Sequence, residues 1–348
     1  MKLLILTQKV DRNDPILGFF HRWIEEFSKH YESLVVICLE KGEYNLPENV
    51  KVFSLGKESQ IQNTMIYHSV VRKLYNIARF YKYIWQERKN YDNVFVHMNP
   101  EYIILGGLFW RLWGRKVALW YVHKAVNLRI WLAEKFANII VTSAPESFKL
   151  KSKKVRYIGH GIDTKIFKPV LQNRDGPVKF LHVGRITRIK NIDFIIRSIG
   201  DKSLTLVGEP IMEEDKRYKK ELENLAEKIK AKLLWLGSVI NTEMPKIYAG
   251  HTISINSTPD GGMDKAVLES LATGTPVFTA NCAFTGLFGG QAGLFIYKHG
   301  DVEDLTKKLD SWLQNNQKSE IMRELSNRVQ SEYSVETIIS KIVSNLNE

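Results

Sequence analysis

The chain has 348 residues, enough for two domains of ordinary size. Hydrophobic residues make up 44% and charged residues 25%, which excludes a disordered or fibrous chain. Cys38 and Cys282 are far apart and lack CxxC spacing, so no disulfide framework or structural zinc site is expected, and a reducing, cytoplasmic setting fits. The net charge of +12 falls wholly in residues 1–170, with 27 Lys+Arg against 15 Asp+Glu; the remainder holds 23 of each. Six of the eight tryptophans lie in that basic half, which points to an anionic partner: a membrane surface, a phosphorylated substrate or nucleic acid.

The amino-terminal run MKLLILTQ is too short for a signal-peptide core and reads as a first strand, 3–8. A helix over 19–30 follows, then strands at 33–40 and 49–56 and a long amphipathic helix from about Tyr67 to Lys89. Strands at 93–99, 116–124 and 138–143 alternate with helices at 101–113 and near 127–136. The apolar stretch 102–110 is halted by Arg111, well short of a membrane span. Residues 163–177, with two prolines, read as a linker. A second series then begins, with strands at 179–185, 203–208, 232–237, 251–256 and 275–280. Helices are predicted at about 191–199, 213–231, 242–249 and 264–273, and the tail 302–348 is predicted helical. Apolar strands between helices imply parallel sheets covered on both faces, an α/β fold with two doubly wound domains. In such sheets ligands bind beyond the carboxyl ends of the strands.

Two motifs fall at such places. In HVGRITRIKNIDF, Gly184 ends a strand, Arg185 follows at once and Lys190 stands at the next helix's start, a pair of cations suited to a diphosphate. In TPDGGMDKAVLESLATGTPVFTA, Gly261 and Gly262 let backbone N–H groups approach an anion, and Glu269 on the following helix suits a ribose diol. Neither motif is specific alone: R-x4-K is common in solvated loops, and a glutamate after a turn is often only exposed. No D-x-D and no cluster with metal-ligand spacing occurs, so a metal-free site is expected.

In order and spacing the two motifs, with YIGHGIDTKIFKP (157–169) and WLGSVINTEMPKIYAGHTISINST (235–258), resemble the family 4 glycosyltransferases. These are retaining nucleotide-sugar enzymes of the GT-B architecture, two Rossmann-like domains facing a cleft. The resemblance implies an acceptor-binding domain over 1–165, a donor-binding domain over 166–330 and a carboxy-terminal helix, 331–348, returning to the first domain. It implies that Arg185 and Lys190 bind the donor diphosphate and Glu269 the ribose, with Gly184, Gly261, Gly262, Met263 and Asp264 lining the donor. His123, closing the strand VALWYVH, matches a family histidine near the transferred sugar. His97 and Gly18 match acceptor-side positions. The family's first glutamate of E-x7-E falls on Gly261, flanked by Asp260 and Asp264, either of which can substitute.

The resemblance thus implies a nucleotide diphosphate sugar as donor, no cofactor, and a glycan or lipid-linked acceptor. The basic first half adds an anionic membrane surface, which Arg72, Lys73, Arg79, Lys82, Arg88 and Lys89, with Tyr75, Phe80, Tyr83 and Trp85, would contact. A catalytically weak nucleotide-sugar binder is the alternative, since Gly261 departs from the pattern. A nucleic-acid binder lacks any recognition motif.

Overall fold

A computed structural model of the chain describes residues 1–59, 66–170 and 176–348; the side chains of 59 and 66–70 also lie outside it. Residues 171–175 of the expected linker, and the side chains of Tyr67 and Val70 in the expected amphipathic helix, are therefore outside the described residues. The chain divides into two compact units, one of Met1–Gly159 with Val335–Glu348, the other of His160–Ser334.

The first unit alternates β1 (Lys2–Val10), α1 (Phe19–Ser28), β2 (Ser33–Lys41), β3 (Val50–Ser54), α2 (Ile66–Gln86) and β4 (Asn93–His97). It continues with α3 (Pro100–Leu112), β5 (Lys116–Trp120), α4 (Leu128–Phe136), β6 (Ile139–Thr142) and β7 (Val155–Tyr157). The seven strands form one sheet in the order β3-β2-β1-β4-β5-β6-β7, every neighbouring pair parallel. Strand periodicity sends alternate residues to opposite faces, and here both faces are core. Leu3, Ile5, Leu34 and Val36 pack with Phe20, Trp23 and Phe27 of α1. Leu4, Leu6, Val35 and Ile37 pack with Phe80 and Ile84 of α2 and Ile103 of α3.

The second unit contains β8 (Phe180–Val183), α5 (Ile192–Ile199), β9 (Ser203–Val207), α6 (Glu213–Ile229), β10 (Lys232–Gly237) and α7 (Met244–Ala249). It goes on through β11 (Ile253–Asn256), α8 (Lys265–Ala272), β12 (Val277–Thr279), α9 (Thr285–Phe288), α10 (Ala292–Phe295), α11 (Val302–Gln314) and α12 (Lys318–Glu332). Its parallel sheet has the order β10-β9-β8-β11-β12, so the winding direction switches between β8 and β11. The last helix, α13 (Val335–Asn347), belongs to the first unit. It buries Val335, Ile338, Ile339, Ile342 and Leu346, a helical stripe, in the α1-side core. Arg22 of α1 donates to Glu336 at its start.

The α/β reading with parallel sheets holds in both units. Three details differ. The strand expected over 116–124 stops at Trp120, β7 was too short and polar to register as a strand, and the helical tail is three separate helices.

Candidate functional site

The polar groups that the motifs singled out in the second unit converge beyond β8 and β11, at the switch point where open α/β sheets bind ligands. The turn after β8 is held tightly: Gly184 donates its N–H to Val207 O at 2.9 Å and Ile186 donates to Glu209 O at 3.2 Å. Gly208 is required beside it. Its φ is +132°, and a Cβ there would stand 2.0 Å from Gly184 O.

Three cations follow Gly184, and they have different fates. Arg188 donates to Glu221 at 2.6 Å and lies over the Tyr218 ring, directed away from the turn. Arg185 is exposed and has no ion pair among the described residues. Lys190 is half-buried, and its Nζ donates to Asp264 Oδ2 at 2.5 Å and to Thr258 Oγ1 at 3.1 Å. The next residue, Asn191, adopts a left-handed conformation with φ +46°, which ends the lysine's turn and starts α5. Its side-chain amide donates to Ser257 O at 3.1 Å, tying the β8 loop to the β11 loop.

Asp264 has two tasks. It caps α8, taking the Ala266 N–H, and its other oxygen receives Lys190 and the Asn256 amide at 3.0 Å. Burial alone would raise its pKa, but the Lys190 ammonium outweighs that and holds the carboxyl well below the usual range. Gly262 O accepts from Asn281 Nδ2 at 3.0 Å, and Asp260 Oδ1 accepts from Cys282 N at 2.7 Å, so the glycine-rich loop is anchored from both sides. Both aspartates flanking Gly261 are thus engaged in building the loop. At Gly261 itself, a Cβ would meet only Pro259 O at 3.7 Å, so space does not dictate glycine there. Met263 is buried.

One turn along α8, Glu269 is 6% exposed and accepts the Tyr248 hydroxyl at 3.1 Å. Burial raises its pKa against the Lys265 ammonium. The same burial pushes Lys265 down to about 8, against Glu269 and Asp264. His182, on β8, is fully buried; its Nδ1 lies 3.0 Å from Ile255 O, which can only accept, so Nδ1 carries the proton. Its Nε2 has no hydrogen-bond partner among the described residues, and a Cβ on Gly184 would lie 3.4 Å from it. Burial holds this imidazole neutral, with a pKa of about 4.

The structure therefore gathers Gly184, Arg185, Lys190, Gly261, Gly262, Met263, Asp264 and Glu269 in one unit around the ends of β8 and β11. The sequence reading missed Asn191, Asn256, Thr258, Lys265 and Tyr248. Each lies inside one of the quoted segments, but no spacing within them singles it out, because its role arises only where separate strands and helices meet.

In the first unit the named residues are dispersed in character. His123 is exposed, with Nδ1 accepting the Ala125 N–H at 3.0 Å. His97 is 3% exposed, stacked on Phe20 at 4.0 Å and bonded to Thr7 Oγ1 at 3.2 Å, which makes it a packing residue of the α1 core. Gly18 starts α1, and a Cβ there would lie 2.4 Å from Asp14 O. That loop is fixed by Lys9, which bridges Asp14 and Glu40 at 2.9 Å each. Among the described residues no group of three or more His, Cys, Asp or Glu could hold a metal ion, and no helix is long and apolar enough to cross a membrane.

Residues 177–315, which contain the whole switch-point site, match the family described as Glycosyl transferases group 1. A search of curated proteins finds a sulfoquinovosyl transferase, SQD2 of Arabidopsis thaliana, 22% identical over 243 residues, or 64% of this chain. The chain spans 44% of that relative's length. Among solved structures, Anabaena Alr3699/HepE in complex with UDP superposes with a TM-score of 0.75 at 16% identity, covering all of both chains. Sucrose-phosphate synthase from Thermosynechococcus elongatus gives a TM-score of 0.76 at 14% identity, covering 99% of this chain and 98% of that one. The fold is that of the GT-B glycosyltransferases.

Proposed function

We propose that the protein is a retaining, metal-independent glycosyltransferase of family 4 type, moving a sugar from a nucleotide diphosphate sugar to an acceptor hydroxyl. The observation that carries the reading is the Lys190 ammonium, held by Asp264 and Thr258 at the switch point, with Arg185 exposed on the same loop and in no ion pair among the described residues. A lysine ammonium has three N–H bonds, and Asp264 and Thr258 take two. The third is free for a phosphate oxygen, and Asp264 keeps the ammonium in place without neutralising the guanidinium of Arg185. Two cations and the amino-terminal end of α8 then face the charge that develops on a departing diphosphate. Glu269, buried and held by Tyr248, takes the ribose hydroxyls, and backbone at Gly184, Gly261, Gly262 and Met263 approaches phosphate and sugar.

In this mechanism the acceptor hydroxyl attacks the anomeric carbon from the face the diphosphate leaves. Its proton passes to a leaving phosphate oxygen, and no protein nucleophile forms a covalent intermediate. His123, exposed at the end of the fifth strand's loop, is assigned to the sugar, and Gly18 to the acceptor loop. The family match over 177–315 and the UDP bound to HepE support a nucleotide donor. The charge of residues 1–170 supports a lipid-linked or membrane-proximal acceptor at an anionic cytoplasmic face.

Release of free nucleotide from UDP-, GDP- and ADP-sugars, with and without EDTA, tests the assignment. Turnover that EDTA leaves unchanged is expected with one of them. Binding without turnover would identify an inactive nucleotide-sugar binder, the reading that Gly261 favours, and a strict Mg²⁺ requirement would overturn metal independence.

A further inference from the structure

The first unit holds a cavity of about 540 Å³ between α2, α3 and the ends of β2 and β3, a volume in the range of small-molecule sites. Its wall is apolar, with Leu55, Ile77, Phe80 and Leu105. Asn76 lies among them, and its Oδ1 is buried without a hydrogen-bond partner among the described residues. A buried amide oxygen with no donor is costly, so a ligand hydroxyl reaching it would satisfy an acceptor that the described residues leave open.

Four cations share the lining. Lys57 is paired with Glu40 at 3.0 Å and Arg129 with Glu101 at 2.8 Å. Arg72 and Lys73 are exposed and have no ion pair among the described residues. Along the same two helices Leu74, Trp85, Leu108 and Leu112 are exposed, between 53% and 73%, so these helices present apolar side chains to the outside as well as to the cavity.

An apolar wall, an orphaned acceptor and two uncommitted cations fit one molecule carrying a hydrocarbon tail, a hydroxyl and an anion. We propose that this cavity binds a phospholipid-type amphiphile, its phosphate on Arg72 and Lys73, a headgroup hydroxyl donating to Asn76 Oδ1 and its first methylenes against Phe80 and Leu105. That this lipid is the acceptor rests on the transfer reading above; the binding itself does not.

Calorimetric titration with lauroyl lysophosphatidylglycerol, kept below its micelle concentration, tests the site. One-to-one binding is expected. Dodecyl maltoside, which lacks the phosphate, and glycerol phosphate, which lacks the tail, should each bind at least about tenfold more weakly. The double variant Arg72→Glu, Lys73→Glu should lose at least about tenfold, as should Leu105→Trp, which fills the cavity. Asn76→Ala should abolish the preference for the glycerol headgroup over dodecyl phosphate. Thermal unfolding checks each variant's fold, and the charge-reversed pair decides if Leu105→Trp does not fold. No monomer binding while anionic vesicles still sediment the protein would mean surface adsorption and overturn the site. Wild-type affinity in the charge-reversed variant would overturn it as well. The titration contains no nucleotide sugar, so its failure leaves donor turnover to judge the transfer reading separately.

Discussion

Lys190 and Arg185 differ in how they are held, and that difference sets what their removal does. Lys190→Ala leaves Asp264 in place without its cation, so the loop after β11 loses an anchor along with the proposed phosphate contact. Arg185→Ala removes only an exposed guanidinium. Each is expected to lower transfer at least about tenfold, since each takes a cation from a developing diphosphate charge. Only Lys190→Ala should also lower the melting temperature. Glu269→Gln should act differently, weakening donor affinity by roughly 1–3 kcal/mol for a lost charge-assisted bond while leaving turnover of bound donor nearly intact. Steady-state kinetics resolves the three; wild-type kcat/KM in either cation variant would place the diphosphate elsewhere.

The buried histidines add a pH dependence whose sign follows from burial. His182 is held near pKa 4 and His160 near 3, both by burial first. In the unfolded chain each returns to about 6.5. Between those limits the unfolded state binds protons that the folded state does not, so stability is complete above about pH 6.5 and falls as pH drops toward 4. Urea midpoints at about pH 7.5 and about pH 5 measure the loss, and His182→Leu should reduce it. An unchanged loss in that variant would show that His182 is not buried neutral.

At the scale of elements, the β8 and β9 turns depend on each other. Gly208→Ala would put a methyl 2.0 Å from Gly184 O at a φ of +132°, so the turn carrying Arg185 must shift. A cost of roughly 1–3 kcal/mol in stability is expected together with a loss of donor binding, measured by urea unfolding and by titration with the donor nucleotide. Tolerance of alanine there would mean that the turn is not held as described. Much of this local design was legible beforehand. The apolar strands named the sheets, and Gly184, Arg185, Lys190 and Glu269 stood out because each sits at a fixed step after a strand. Asn256, Thr258 and Tyr248 did not, because their roles arise from side chains meeting across separate strands and helices. His97, a strand-end histidine singled out for the acceptor side, is packed with Phe20 and Trp23, a surrounding that the sequence did not show.

At the scale of the whole molecule, the chain invests its charge and its chemistry in different units. The cationic excess lies in residues 1–170, while the loops proposed to bind phosphate lie in the remainder of the chain, where charges balance. The two-domain α/β plan was readable from alternation alone, but the return of α13 to the first unit follows from packing that no local signal encodes, namely a stripe from Val335 to Leu346 that matches the α1 core. The tryptophans likewise divide only in three dimensions: Trp23, Trp110 and Trp120 are core, whereas Trp85 and Trp131 remain exposed. In the proposed function the loops beyond β8 and β11 bind a nucleotide diphosphate sugar. A thermal-shift panel of UDP-, GDP- and ADP-sugars on the wild type and on Lys190→Ala tests it most directly, because a ligand that binds only the folded state raises its melting temperature by mass action. A saturable upward shift with one nucleotide class is expected, at least about tenfold weaker in Lys190→Ala; no shift with any of them, or a shift undiminished in the variant, would contradict donor binding at these loops.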